Sequence, residues 1–458
     1  LEFKTNAYYK GLRDDIYTLL ERARGMRGIP TDPDAAGARL GRAALHLNNV
    51  RYMGGAAIAS LPDPARLVQR HGLLRTFRDG FIPLITNFKN FQISAREARL
   101  AGTANELVTH SRLNAMTNVF EDVYRGTVAE RGLQYASSRM GIVSGLNLWT
   151  QAFQSMAAVT TNARLIDSIG IVMGEKATAK EVKEATEFLA SVNITPDIAE
   201  TIWRTADTGG IEKVNGVWLP NTELWDVSQP HIRAARRAYR AALAGEVDDT
   251  IIKPGFERPS SVDKNVGMRL LTQFKSFALS STQKTVMAGL QQHDMAYVNG
   301  MMISLAMGAL SYYLYAKAAG GRTEQIMEQS IADGNWELWA DEAIARSGQT
   351  AIFDSVQRFA NRVPIINKFT SFSGGPRTKT VGGGLPEELL GPSFDLLVKL
   401  GKVLQSANPD EPNFGLTRQE LHLARQIGPF QNLIYTRRML DQIENAVGDA
   451  FGLEGKPR

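Results

Sequence analysis

Apolar residues along this chain recur mostly at every third or fourth position, the spacing that places them on one side of a helix. Val182, Ala185, Leu189 and Val192 follow it behind Thr178-Ala-Lys-Glu181, a capping box in which hydroxyl and carboxylate each satisfy a backbone N–H of the first turn. Thr417-Arg-Gln-Glu420 repeats that box near the end of the chain. Thr195 and Pro196 open another helix, with threonine as the cap and proline in the first turn. Val266, Leu270, Phe274, Ala278 and Val286 mark a further amphipathic helix that runs into an uncharged stretch. Strand-like character is confined to 214–219, a small ribbon or an extended loop. The pattern therefore predicts a mainly α protein, an elongated assembly of helical subdomains with at most that minor β ribbon.

Glycine and proline punctuate the pattern at Ser60–Pro64, Asp207–Gly210, Lys253–Pro259, Ser373–Gly384 and Asn408–Pro412. These breaks suggest four regions: an N-terminal helical region (1–138), a central one carrying an arginine-rich helix (139–260), the amphipathic and apolar helices (261–320), and a C-terminal helical region with a glycine-rich loop (321–458).

Two stretches lack charge altogether. Met295 to Ala316 lies between Asp294 and Lys317 and, as a helix, is roughly 33 Å long, about the thickness of a bilayer's hydrocarbon core. Tyr297 near its start and Tyr312, Tyr313 and Tyr315 near its end suit a membrane–water interface. Gly300, Ser304 and Gly308 recur at every fourth position, the small-residue spacing that brings helix backbones close. Membrane span and buried packing helix are both open on this pattern, and packing against protein is the expectation for the folded particle. The second stretch, Met140 to Ala163, carries Asn147, Gln151, Gln154, Thr160, Thr161 and Asn162, which are costly in lipid unless paired. An interior helix is expected there, with a pore-lining span as the alternative.

Charge and composition narrow the chemistry. Of 458 residues, 52 are Lys or Arg and 47 are Asp or Glu, a net charge of +5 that permits a polyanionic partner without requiring one. There is no cysteine, which removes disulfides, thiolate metal sites and cysteine nucleophiles together. The six histidines are scattered without metal-ligand spacing, and neither a phosphate-cradling Gly-Lys-Ser/Thr loop nor a Gly-x-Ser-x-Gly elbow occurs. No catalytic, cofactor-binding or metal-binding residue is assigned, and an enzymatic role within this chain is not expected. The strongest charged feature is Arg233, Arg236, Arg237 and Arg240, four guanidiniums on one helical face. They suit phosphate contact, with Tyr239 adjacent for stacking or packing. A solvated face, or pairing with Glu246, Asp248 and Asp249, is the competing reading.

Several separated motifs occur in an order that resembles the large internal virion proteins of short-tailed bacteriophages. They are Asn48 to Gly72 (NNVRYMGGAAIASLPDPARLVQRHG), Asn221 to Trp225 (NTELW), the arginine helix, Asp248 to Gly255 (DDTIIKPG), Gln273 to Gln283 (QFKSFALSSTQ) and Gln431 to Arg437 (QNLIYTR). The resemblance implies an ejection protein. Its members form a homo-oligomeric ring on the portal inside the capsid, beside other ejection proteins and the double-stranded DNA genome. They leave the particle ahead of the DNA and help to build a channel through the host periplasm and inner membrane. A DNA-organising core protein without a channel role, or a non-catalytic module of a larger virion enzyme (muramidase or polymerase), is the alternative.

Overall fold

The computed structural model describes residues 2–24, 26–82, 126–214, 217–251, 263–274, 295–348, 392–406 and 417–453. The fold is mainly α. The labelled helices are α1 (Glu2–Ala23), α2 (Ala36–Tyr52), α3 (Ala65–His71), α4 (Val128–Val143), α5 (Leu146–Val172), α6 (Ala179–Ser191), α7 (Pro196–Arg204) and α8 (Pro230–Thr250). They continue with α9 (Val266–Thr272), α10 (Met295–Ala319), α11 (Gly321–Ala332), α12 (Trp336–Arg346), α13 (Pro392–Ser406), α14 (Arg418–Ile427) and α15 (Arg437–Ala450). One antiparallel ribbon pairs β1 (Ile211–Val214) with β2 (Val217–Pro220). It starts earlier than residue 214 because Gly209, at φ 75°, turns the chain directly into it, and the Asn221 N–H closes it on the Gly210 carbonyl.

Local signals set the helix ends. Thr178 and Glu181 form their reciprocal box, with Thr178 N–H donating to Glu181 Oε2 at 2.7 Å. Thr417 and Glu420 do the same for α14. Thr127 and Glu130 form a third box ahead of α4, a Thr-Val-Ala-Glu signal present in the sequence but not singled out there. Thr195 holds the cap position ahead of Pro196 as expected, although its hydroxyl makes no cap bond. The helix expected to continue through Phe274 stops at Thr272, and Phe274 sits at φ 68° in the left-handed region. Ala278, Val286 and the loops Lys253–Pro259, Ser373–Gly384 and Asn408–Pro412 lie outside the described residues.

The centre of the fold is α5. Gly145, at φ 78°, breaks the uncharged stretch Met140–Ala163 into α4 and α5. Phe153, Met156, Leu165, Ile166 and Ile169 of α5 then pack against Phe188 and Leu189 of α6, Ile202 of α7, Trp225, and Tyr239, Leu243 and Val247 of α8. Full burial of each large apolar side chain contributes roughly 1.5–3 kcal/mol. Two of the polar residues of α5 are paired inside this core. Asn162 accepts from the Tyr239 hydroxyl at 2.5 Å, and Thr160 donates to the Met156 carbonyl at 2.9 Å. Most of the stretch therefore lies in one interior helix, α5. A second apolar cluster joins Val50 and Met53 with Met140, Leu146 and Leu433, so the ends of α2, α4 and the segment before α15 pack together.

Helix α13 turns a largely polar side inward. It buries Ser393, Asp395, Lys399 and Ser406 together with Leu396, while Leu397, Leu400 and Leu404 face outward. Its inner face meets a polar surface. Arg51 reaches Asp395 at 3.1 Å, the Tyr52 hydroxyl donates to the same carboxylate at 2.6 Å, and Lys399 donates to it at 2.9 Å. Burial pushes the Tyr52 phenol up, with Arg51 partly opposing, so it remains a donor. Asn48 completes the network through Gln273 and Ser393.

Candidate nucleic-acid interface and the apolar helix

The sequence pattern of α8 fixes which of its faces can meet a partner. Ala235, Tyr239, Ala242, Leu243, Glu246, Val247 and Thr250 form the buried stripe. Arg233, Arg236, Arg237 and Arg240 fall on the remaining surface: Arg233 and Arg237 are exposed, Arg236 and Arg240 half-buried. Arg233 donates to the Val227 carbonyl at 2.9 Å, and Arg240 donates to Thr222 Oγ1 at 2.7 Å. These bonds tie the helix to the segment that precedes it. Arg236 and Arg237 form no ion pair among the described residues.

Two of the acidic groups considered as their partners, Glu246 and Asp249, are directed elsewhere. Glu246 lies on the buried stripe and takes both hydrogen bonds of Arg70, at 3.0 and 2.8 Å, with Asp249 also 3.6 Å from Arg70. Arg70 sits on α3, 176 residues away in sequence, which is why the pairing is invisible to local spacing. Tyr239 is fully buried, tilted against Trp225 with ring centroids 5.7 Å apart, so it packs and does not stack on a ligand. What remains is a cationic surface whose two central guanidiniums form no ion pair among the described residues, the arrangement that a row of phosphates complements.

The other expected feature, α10, is docked on protein along one side. Gly300 approaches α3, where an added Cβ would lie 2.8 Å from the Gln69 nitrogen and 2.9 Å from the Ala65 carbonyl oxygen. Gly308 approaches the end of α12, with the same consequence at the Ala343 carbonyl and, at 3.0 Å, the Ser347 nitrogen. Ser304 is buried between them, and the Ser311 hydroxyl donates to the Ile58 carbonyl at 3.0 Å. The structure thus joins the three small residues into one packing seam. It does not gather the tyrosines into a belt. Tyr312 is buried edge-on to Trp339, Tyr315 lies beneath the Arg346 guanidinium and accepts from Arg437, Tyr297 is half-buried, and Tyr313 is exposed.

No described helix is long and apolar enough to cross a membrane. In α10 the glycines and serines of the seam and its tyrosines dilute the apolar character that the missing charges suggested. Its outer face is still apolar, with Met295, Val298, Met302, Leu310 and Leu314 exposed.

Buried titratable groups elsewhere are structural in their contacts. Burial, with Arg164, Arg70 and Arg75 around it, holds His71 neutral, and it touches Thr161 and Arg164 on α5. Between α14 and α15, burial pushes Glu444 up, but His422 and Arg425 outweigh it and hold its carboxyl below the usual range. Among the described residues no group of histidine and acidic side chains is placed to hold a metal ion. No protein family, curated protein or solved structure matches the chain.

Proposed function

We propose that this chain is a non-enzymatic structural protein of a bacteriophage particle, an internal ejection protein that meets the packaged genome through α8. The ordered motifs between Asn48 and Arg437 supply the phage reading. The observation that supports DNA contact is the pair Arg236 and Arg237, solvent-accessible and without an ion pair among the described residues, on a helix whose Glu246 is held by Arg70. The absence of cysteine suits a chain that passes through a narrow portal, since no crosslink opposes unfolding and refolding. In this reading the protein assembles as a homo-oligomeric ring with other ejection proteins at the portal. After ejection it contributes to the trans-envelope conduit and touches the host inner membrane through the outer face of α10.

Binding to a short duplex across a salt series tests the contact. Each phosphate neutralised steepens the log–log salt dependence by about 0.9. Arg236→Gln together with Arg237→Gln should therefore flatten the slope by roughly 2 and weaken binding to unrelated sequences alike. The pair spares Arg233 and Arg240, whose bonds hold the helix in place. An unchanged slope removes α8 from the interface. Flotation of the full chain with anionic liposomes, and its loss on Met302→Lys, tests the membrane contact separately.

A further inference from the structure

The tip of the α11–α12 hairpin holds its largest side chain out in water. Trp336 opens α12 and is 72 % exposed, with Ile331 exposed on the same tip. The turn that presents them is fixed by its own bonds. Gly334, at φ 63°, reverses the chain, and the Asn335 N–H donates to the Ser330 carbonyl at 2.9 Å. The Asn335 side chain caps α12 by accepting from the Leu338 N–H at 3.2 Å, and the Trp339 indole donates to Ser330 Oγ at 3.0 Å. An anchor held this way gives up little freedom on binding. Lys317 takes Glu324 and Glu328, and Arg346 takes Glu342. Asp333 and Glu337, exposed on the tip with Trp336, form no ion pair among the described residues.

Helix α4 carries the converse. Arg131, Tyr135 and Arg139 occupy positions i, i+4 and i+8 and lie exposed along one stripe of its outer side. The Arg139 guanidinium stands over the Tyr135 ring, 5.3 Å from its centroid. Neither arginine forms an ion pair among the described residues. Glu130, the one acid of α4, is taken by Arg39 at 3.0 and 3.2 Å and by its capping box.

We infer that the α11–α12 tip of one copy of this chain docks on the outer stripe of α4 in the next copy. Trp336 meets Tyr135 and the two guanidiniums, while Asp333 and Glu337 pair with Arg131 and Arg139. An aromatic ring among carboxylates thus faces an aromatic ring between cations, and indole is the best ring for a guanidinium to face. The tip's negative charge disfavours a nucleic acid or an anionic membrane as its partner. Both patches are exposed, so they do not satisfy each other within one copy. Because the two patches differ, the contact is head-to-tail and repeats from copy to copy, closing into a ring when the rotation allows. The inference rests on the homo-oligomeric ring of the proposed function and supplies its interface.

Sedimentation velocity of the full chain over a concentration series tests it. The unaltered chain should assemble, and Trp336→Ala should weaken assembly at least about thirtyfold, the scale of a central aromatic anchor. Asp333→Lys with Glu337→Lys makes one variant, and Arg131→Glu with Arg139→Glu makes another. Each then carries like charges on both patches and should stay monomeric. Mixed in equal amounts the two should assemble, since every tip finds a stripe of opposite sign, and that recovery shows both to be folded. Assembly untouched by all three variants overturns the inference and leaves the ring with some other interface. Failure of the mixture to assemble overturns it as well. A chain that is monomeric at every concentration overturns the inference and the ring together. Flotation of that monomer with liposomes, lost in Trp336→Ala, would give the tip to a membrane instead.

Discussion

Gly308→Ala should destabilise the protein by about 2–3 kcal/mol, read as a shift in the urea midpoint at unchanged slope. The reason is geometric. A methyl group at residue 308 would enter the space of the Ala343 carbonyl oxygen and stand 3.0 Å from the Ser347 nitrogen, both of them backbone atoms at the end of α12. Backbone cannot rotate aside as a side chain can, so α10 must lift from α12 or the end of α12 must deform. Lifting also strips cover from Tyr312, which is 1 % exposed and packed on Trp339. Even a larger addition on the exposed side of the helix meets solvent, and Ala306→Leu should change stability by less than about 0.5 kcal/mol. Equal effects at the two positions would show that α10 is not seated on its small residues.

That seam was legible before any coordinates, because glycine–serine–glycine at every fourth position has few uses other than close helix approach. The surfaces it meets were not. Gln69 and Ala343 lie far from residues 300 and 308 in sequence, and nothing in the local pattern of either segment points to α10. The capping boxes at Thr178 and Thr417 were readable for the opposite reason, since their donors and acceptors lie within one turn. The four arginines of α8 were placed correctly on one face by spacing alone. That Arg236 and Arg237 form no ion pair among the described residues was not, because Glu246 is held instead by Arg70 across the interface between α3 and α8. Hydropathy alone overstated one feature. A run without charges is long enough for a bilayer, although its glycines, serines and tyrosines leave it short of the apolar character required. The polar inner side of α13 is matched to charges on α2 that are 344 residues distant, which no local pattern shows.

Helix α13 sets up the second large effect. Asp395 is the only described carboxylate touching Arg51, Lys399 and the Tyr52 hydroxyl together, and the Asp395 and Arg51 side chains are 1 % and 0 % exposed. Asp395→Ala leaves two cations facing each other away from water and should cost about 3–5 kcal/mol. The attraction within the network is not the source of that figure. Two buried cations and one anion pay for desolvation before they attract, so replacing Arg51, Asp395 and Lys399 together by Met, Leu and Met should be close to neutral or stabilising. The loss should also be local. Because α13 turns Leu397, Leu400 and Leu404 outward and fully buries only Leu396 of its leucines, its polar contacts carry much of what holds it. Amide exchange in 392–406 should therefore accelerate in Asp395→Ala while α5, enclosed by its apolar cluster, keeps its protection. If instead α5 and α13 lose protection together, the polar network is part of the global core and not a separate fastening. If neither exchange nor the urea midpoint moves, Asp395 does not hold the helix at all.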